Sequence, residues 1–208
     1  LSPEEALEVA AVYGAAGLDA AGRGFPRRPF RAPHHSATRA AMLGGGLPFR
    51  PGEVSLAHRG VLFLDELPEF RREVLEALRE PLEEGRLRVA GGRGGLWVPA
   101  AFQLVAAANP CPCGFLGHAR HPCTCPPARR ERYRARLQGP LLDRIDLRVE
   151  VQPGRGRGAG EGSAAVRERI LQARERQRAR QGTLLNGQLG PRDLERWAGL
   201  DPGTRQLV

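Results

Sequence analysis

Gly60-Val61-Leu62-Phe63-Leu64-Asp65-Glu66 is the stretch on which the fold turns. The four consecutive apolar residues Val61–Leu64 are bounded by glycine and by acids. They read as a short strand covered on both faces, as in a parallel sheet. In open parallel sheets, ligands sit beyond the carboxyl ends of the strands, and Asp65 and Glu66 fall there. An ordinary acidic helix start, favoured by the helix dipole, accounts for the same pair without any ligand.

Downstream, Arg71 to about Glu80 places Val74, Leu75 and Leu78 on one helical face, with Pro81 as its stop or kink. Leu87-Arg88-Val89 and Leu96-Trp97-Val98 flank five residues, Gly91 to Gly95, of which four are glycine, the pattern of a hairpin. Phe102–Ala108 is a second apolar strand and ends at Asn109-Pro110. Pro126–Leu137 suits a basic helix with proline at its start. Ile145, Leu147, Val149 and Val151 alternate with polar residues, which predicts a half-buried strand over 145–151. Upstream, residues 4–13 are strong helix formers stopped by Gly14 and Gly17, and 22–53 reads as loop with a helix-like patch at Ser36–Leu43. The expected division is an α/β part over 1–152, a glycine-rich linker over 153–162 and a small helical part over 163–208.

Composition narrows the function. The chain has 208 residues, 41% hydrophobic and 26% charged, which excludes a wholly disordered polymer. No apolar run approaches the roughly 20 residues of a membrane-spanning helix, and the first residues lack the basic and apolar blocks of a secretory signal. Four cysteines in a chain this long do not make a disulfide scaffold, so a cytoplasmic setting is expected. All 32 basic residues are arginine. From Arg86 to Arg157 there are 13 arginines against 4 acids, an excess that equals the net +9 of the whole chain. Genome bias explains the lack of lysine but not the clustering, and a concentrated basic block points to nucleic acid rather than membrane.

The cysteines form Cys111-x-Cys113 and Cys123-x-Cys125, with His118 and His121 between the pairs. Four thiolates in two close pairs suit tetrahedral Zn²⁺, which would staple a loop too polar to fold alone. A Cys₄ set ranks ahead of a Cys/His mixture, with free thiols or two disulfides as the alternatives.

The apolar strand ending in Asp-Glu resembles the Walker B element of nucleotide hydrolases. The wider text resembles AAA+ ATPases, specifically the Mg-chelatase-like ComM/YifB family. The blocks carrying that resemblance are Arg28-Pro29-Phe30-Arg31-Ala32-Pro33-His34-His35-Ser36, Gly44-Gly45-Gly46, Arg50 through Phe70, Asn109-Pro110-Cys111-Pro112-Cys113-Gly114 and Leu142-Asp143-Arg144-Ile145-Asp146. The resemblance implies an AAA+ type α/β parallel sheet with flanking helices and a partial α-helical lid. It implies ATP and Mg²⁺ as cofactors, with Asp65 in the Mg²⁺ shell and Glu66 orienting the attacking water. Asn109 would be sensor 1, and Arg144 an arginine finger reaching a neighbouring subunit's nucleotide. The hairpin would be a presensor-1 insertion gripping DNA through Arg86, Arg88 and Arg93, unless these are merely solvated charges on an edge hairpin. His34 and His35, for which the sequence offers no acid partner, are expected to support the fold or a substrate loop.

The implied function is DNA remodelling, branch migration in recombination and transformation, by a homo-oligomeric ring, with a hexamer expected. Three other readings stay open: a sigma-54-type activator, a Mg-chelatase subunit, and a non-enzymatic, zinc-stapled nucleic-acid-binding module. The family also needs Gly-x-x-x-x-Gly-Lys-Ser/Thr, which a chain without lysine cannot contain. The chain therefore reads as a fragment in which the central phosphate-loop strand is missing. Alone it is expected not to turn over ATP, and strands 102–108 and 145–151 are expected not to pair directly.

Overall fold

The computed structural model describes residues 1–19, 27–46, 48–91, 94–118, 120–137, 139, 141–151 and 160–197. They fall into two units, Leu1–Pro153 and Gly154–Val208.

The first unit opens with α1 (Pro3–Ala15). Its start is a capping box. The Glu5 backbone N–H donates to Ser2 Oγ at 3.2 Å, and the Ser2 N–H donates to Glu5 Oε2 at 2.9 Å. Then follow β1 (Phe30–Arg31), α2 (Arg39–Leu43), β2 (Gly44–Gly45), β3 (Arg50–Pro51), α3 (Glu53–Leu56) and β4 (Val61–Leu64). After a 3₁₀ turn at Leu67–Glu69 come α4 (Arg72–Ala77), α5 (Arg79–Glu84), β5 (Arg86–Gly91), β6 (Gly94–Pro99) and β7 (Gln103–Ala106). Helix α6 (Pro127–Arg136) and a 3₁₀ turn at Leu142–Arg144 complete it.

Strands β1, β4 and β7 form a parallel sheet in the order β1-β4-β7, with Phe30 opposite Val61 and Leu64 opposite Ala106. The chain is an α/β fold. Gly60 permits the close approach of β1, because a Cβ there would lie 2.0 Å from the Pro29 carbonyl oxygen.

The sheet is lined on one face only. Leu62 and Leu64 are fully buried, whereas Val61 and Phe63 are half-buried, so the expected cover on both faces of β4 is a cover on one. Period-2 burial is what a strand with a single packed layer produces. On the other face Phe30, 64% exposed, stacks on Phe63 at 6.1 Å. The buried face joins Met42, Val54, Val74, Leu78 and the inner residues of the β5–β6 hairpin, Leu87, Val89 and Val98, in one core. Burying a leucine such as Leu62 contributes about 1.5–3 kcal/mol.

Two further expectations change. Of the two expected roles of Pro81 the structure keeps the kink and not the stop, since helix resumes and runs on to Glu84. The break falls at Leu78, and Pro81 lies in the first turn of α5, where a missing N–H costs no intrahelical bond. Residues 145–151 form no strand. Leu147, Val149 and Val151 are more than 80% exposed, since an alternating pattern without a neighbouring ladder leaves both backbone and side chains in water. Consistent with their expected separation, β7 pairs with β4 and not with 145–151.

The second unit contains α7 (Ser163–Gln181), a 3₁₀ turn at Asn186–Gln188 and α8 (Pro191–Trp197). Most of the expected linker, and the end of the expected helical part from 198 on, lie outside the described residues. No helix among the described residues is long and apolar enough to cross a membrane.

Candidate functional site

The parallel register brings the ends of three strands to one edge of the sheet. Asp65 and Glu66 follow β4, Asn109 stands three residues beyond β7, and His34 and His35 follow β1. Asp65, Glu66 and Asn109 are all exposed.

Glu66 is a non-glycine residue in the left-handed region, with φ 51° and ψ 47°. Such a conformation costs about 1–3 kcal/mol and persists where neighbouring bonds impose it. Two bonds do so here. The Glu66 N–H donates to Asp65 Oδ1 at 2.9 Å, and the Leu67 N–H donates to the Ala107 carbonyl at 2.9 Å, tying the turn to the end of β7.

His35 has an acid partner after all. Its Nδ1 lies 3.0 Å from Glu66 Oε2, its ring lies tilted against His34 at 4.0 Å, and it meets Phe70 edge-on at 6.5 Å. The sequence concealed this contact because the two residues are joined only through the β1–β4 pairing. His34 is fixed separately, its Nδ1 lying 2.8 Å from Ser36 Oγ.

The other expected site residues lie elsewhere. Arg144 turns onto Glu83, with Nε donating at 2.8 Å and Nη2 at 2.6 Å, and not onto Asp143 or Asp146. Arg86 pairs with Glu84 at 3.4 Å and covers the Trp97 ring at 4.3 Å. Arg86 and Arg88 line an open cleft of about 630 Å³ together with Arg39, Arg79 and the acids Glu76, Glu80, Glu83 and Glu84. Arg93 lies outside the described residues.

Immediately after Asn109, the four cysteines converge. The Cys111, Cys113 and Cys123 sulfurs are 3.4–3.6 Å apart, and all four Sγ atoms lie within 4.8 Å of one another. Four sulfurs at about 2.3 Å from one tetrahedral centre would sit roughly 3.8 Å apart, so the donor set fits Zn²⁺. All four are free thiols, which removes the two-disulfide alternative. Backbone N–H groups of Phe115 and Thr124 aimed at Cys113 pull its thiol down to about 6. Burial and the neighbouring Cys113 push Cys125 up to about 11. Sulfurs that repel one another's charge while accepting backbone N–H bonds are suited to a shared cation. His118 is not arranged as a ligand through Nδ1, which accepts the backbone N–H groups of Arg120 and His121 at 3.1 and 3.0 Å.

Residues 1–157 match the family described as magnesium chelatase, subunit ChlI, and residues 160–208 match its C-terminal family. The chain belongs to the magnesium-chelatase-like family that includes ComM and YifB. It is 47% identical to YifB of Salmonella typhimurium over 96% of this chain and 40% of that protein. It is 46% identical to the competence protein ComM of Haemophilus influenzae over 92% of this chain and 38% of that protein. Over 73% of this chain it is 52% identical to Rv2897c of Mycobacterium tuberculosis, covering 30% of that protein. The chain thus spans two fifths or less of the length of these relatives. Membership gives the α/β unit its class, an AAA+ type fold.

Proposed function

We propose that this chain carries the hydrolytic edge of an ATP-driven, DNA-remodelling motor of the ComM type, acting in the cytoplasm as a homo-oligomeric ring, a hexamer, in recombination and transformation. The observation that supports it best is the meeting of Asp65, Glu66, His35 and Asn109 at the carboxyl edge of one parallel sheet. In this reading Asp65 holds the Mg²⁺ shell of bound ATP. Glu66, steered by His35, orients the attacking water, and Asn109 donates to the terminal phosphate or that water. Arg144 serves a nucleotide on the adjoining subunit and exchanges Glu83 for phosphate oxygens there. The four cysteines hold Zn²⁺, which supplies a structural staple and no chemistry of its own.

The test uses an intact protein carrying this segment. Glu66→Gln is expected to abolish Mg²⁺-dependent ATP turnover while sparing ATP binding, and branched or single-stranded DNA is expected to stimulate the unmodified protein. Undiminished turnover in the variant rejects the assignment of Glu66. Turnover indifferent to DNA favours a chelatase-type subunit instead.

A further inference from the structure

Some arginines of the α/β unit are held in ion pairs, and others, on several elements, are not. Arg28, Arg31, Arg59, Arg72 and Arg144 are each paired with a glutamate at 2.6–3.2 Å. Helix α6 is different. Arg129, Arg130, Arg132 and Arg134 form no ion pair among the described residues, and Glu131 is the one acid on the helix. Only Arg136, at its end, is tied down, to the Pro68 carbonyl at 2.9 Å and Glu69 at 3.7 Å.

Helix α6 is anchored by Tyr133, which is buried against the Asn109 backbone and Cys111. With about 100° per residue, Arg129 and Arg132 flank that anchor on one side and Arg130 and Arg134 on the other. The result is two stripes of unneutralised guanidinium on a fixed helix.

Joined to the helix through Cys123 and Cys125 is a cluster of rings. Phe115 is 43% exposed and lies 5.7 Å from His118 and 5.4 Å from His121, with the two imidazoles 4.9 Å apart. The last distance closes a triangle of rings on a polar loop. The two backbone N–H groups held by His118 Nδ1 fix one member, so the platform is ordered without a hydrophobic partner.

We propose that the Phe115–His118–His121 rings and the α6 arginines form a single-stranded DNA contact, with bases stacking on Phe115 and His121 and phosphates drawn to the guanidinium groups of α6. The choice of DNA rests on the motor reading above. The contact lies apart from the hairpin, whose Arg86 is paired with Glu84. A single strand is favoured over a duplex because its unstacked bases can use both halves of the surface, whereas a duplex would engage the arginines alone. Aromatic stacking is tolerant of sequence, and phosphate contacts carry no sequence information, so the contact suits a motor that moves along any strand.

The test is fluorescence anisotropy of a labelled oligothymidylate with the zinc-loaded chain. Phe115→Leu should weaken binding about tenfold with little change in its salt dependence, and Phe115→Trp should retain it. Because Phe115 is exposed, neither change threatens folding. Replacing Arg129, Arg132 and Arg134 together with Gln should reduce the slope of log affinity against log salt by about 2. Duplex of the same length should feel the arginine change but not Phe115→Leu. Equal affinity for the strand in the Phe115→Leu and Phe115→Trp variants, with only Arg86 and Arg88 replacements weakening it, overturns this contact and leaves the DNA reading intact. Failure of the unmodified chain to bind DNA even at low salt overturns both.

Discussion

The parallel sheet and the cysteine loop are neighbours held by different forces. Between Phe30 and Ala106 the chain is fixed by buried aliphatic side chains, with Leu62, Leu64, Val74 and Leu78 essentially sealed from water. Between Cys111 and Cys125 the fully buried side chains are the two cysteines that bound the loop, while its largest apolar residue, Phe115, faces solvent. A segment with so little to bury cannot offset the conformational entropy of ordering it by hydrophobic contact. The convergence of four sulfurs is the main substitute among the described residues of the loop. Asn109 sits at the junction, three residues after Ala106 and two before Cys111, with Tyr133 against its backbone. Its position at the carboxyl edge of the sheet therefore depends on both kinds of fastening.

Removing metal should break this comparison most visibly. Zinc sites of this type couple on the order of 10 kcal/mol of binding to folding. Chelation of the zinc-loaded chain should bring amide exchange across residues 111–125 to nearly unprotected rates and leave 61–64 and 103–106 slow. Elemental analysis should give close to one zinc per chain beforehand. Protection of the loop that survives complete metal removal would show that its order comes from packing after all.

The two regions also differed in how far they could be read from sequence. The sheet was legible because Val61–Leu64 and Phe102–Ala108 are local apolar runs, and parallel pairing then brings the residues that follow them to one edge. Hairpin β5–β6 and helix α6 announced themselves by glycine and proline punctuation in the same local way. What could not be read depends on contacts between distant residues. His35 reaches Glu66 across 31 positions, and Arg144 reaches Glu83 across 61, and no spacing rule encodes either. Residues 145–151 show the opposite failure: the strand pattern is present, but a strand needs a neighbour, and pattern alone does not supply one. In the cysteine loop the C-x-C pairs were legible, whereas the ring cluster was not, because Phe115, His118 and His121 follow no periodicity.

A smaller effect should appear at the sheet edge, in the intact protein. His35→Ala removes the imidazole held 3.0 Å from Glu66 and should lower kcat for ATP about tenfold, near 1.4 kcal/mol, with KM unchanged. His35→Asn, whose amide nitrogen can take the place of Nδ1, should recover most of the loss. Loss of folding would instead reduce both variants alike, and zinc content should be unaffected in either, since His35 bonds to Glu66 and not to a cysteine. Equal kcat in all three proteins would reduce the contact to a packing detail.

The smallest effect concerns a third fastening, neither apolar nor sulfur-based. His58, 4% exposed, joins helix α1 to the approach to β7. Its Nε2 lies 3.1 Å from Glu8 Oε2, and its Nδ1 accepts the Ala101 backbone N–H at 3.0 Å. The imidazole is therefore neutral with its proton on Nε2, and protonation at Nδ1 would break the bond to Ala101. Burial holds its pKa below the ordinary 6.5, against the pull of Glu8. The unfolded chain then binds the proton more readily than the folded one, so stability is complete above pH 6.5 and falls as pH drops below it. Glu8 adds to the loss at lower pH. Its carboxylate, held by Arg59 and His58, titrates below the ordinary 4.5, so its contribution is present above that value and is lost beneath it. Thermal melts between pH 7.5 and 5.5 should therefore show a falling midpoint in the unmodified chain. His58→Gln should melt lower at neutral pH yet lose little further on acidification across this range. A slope that survives the substitution would move the acid sensitivity to another group and leave α1 held by the Glu8–Arg59 pair and by Val9, Val12 and Tyr13.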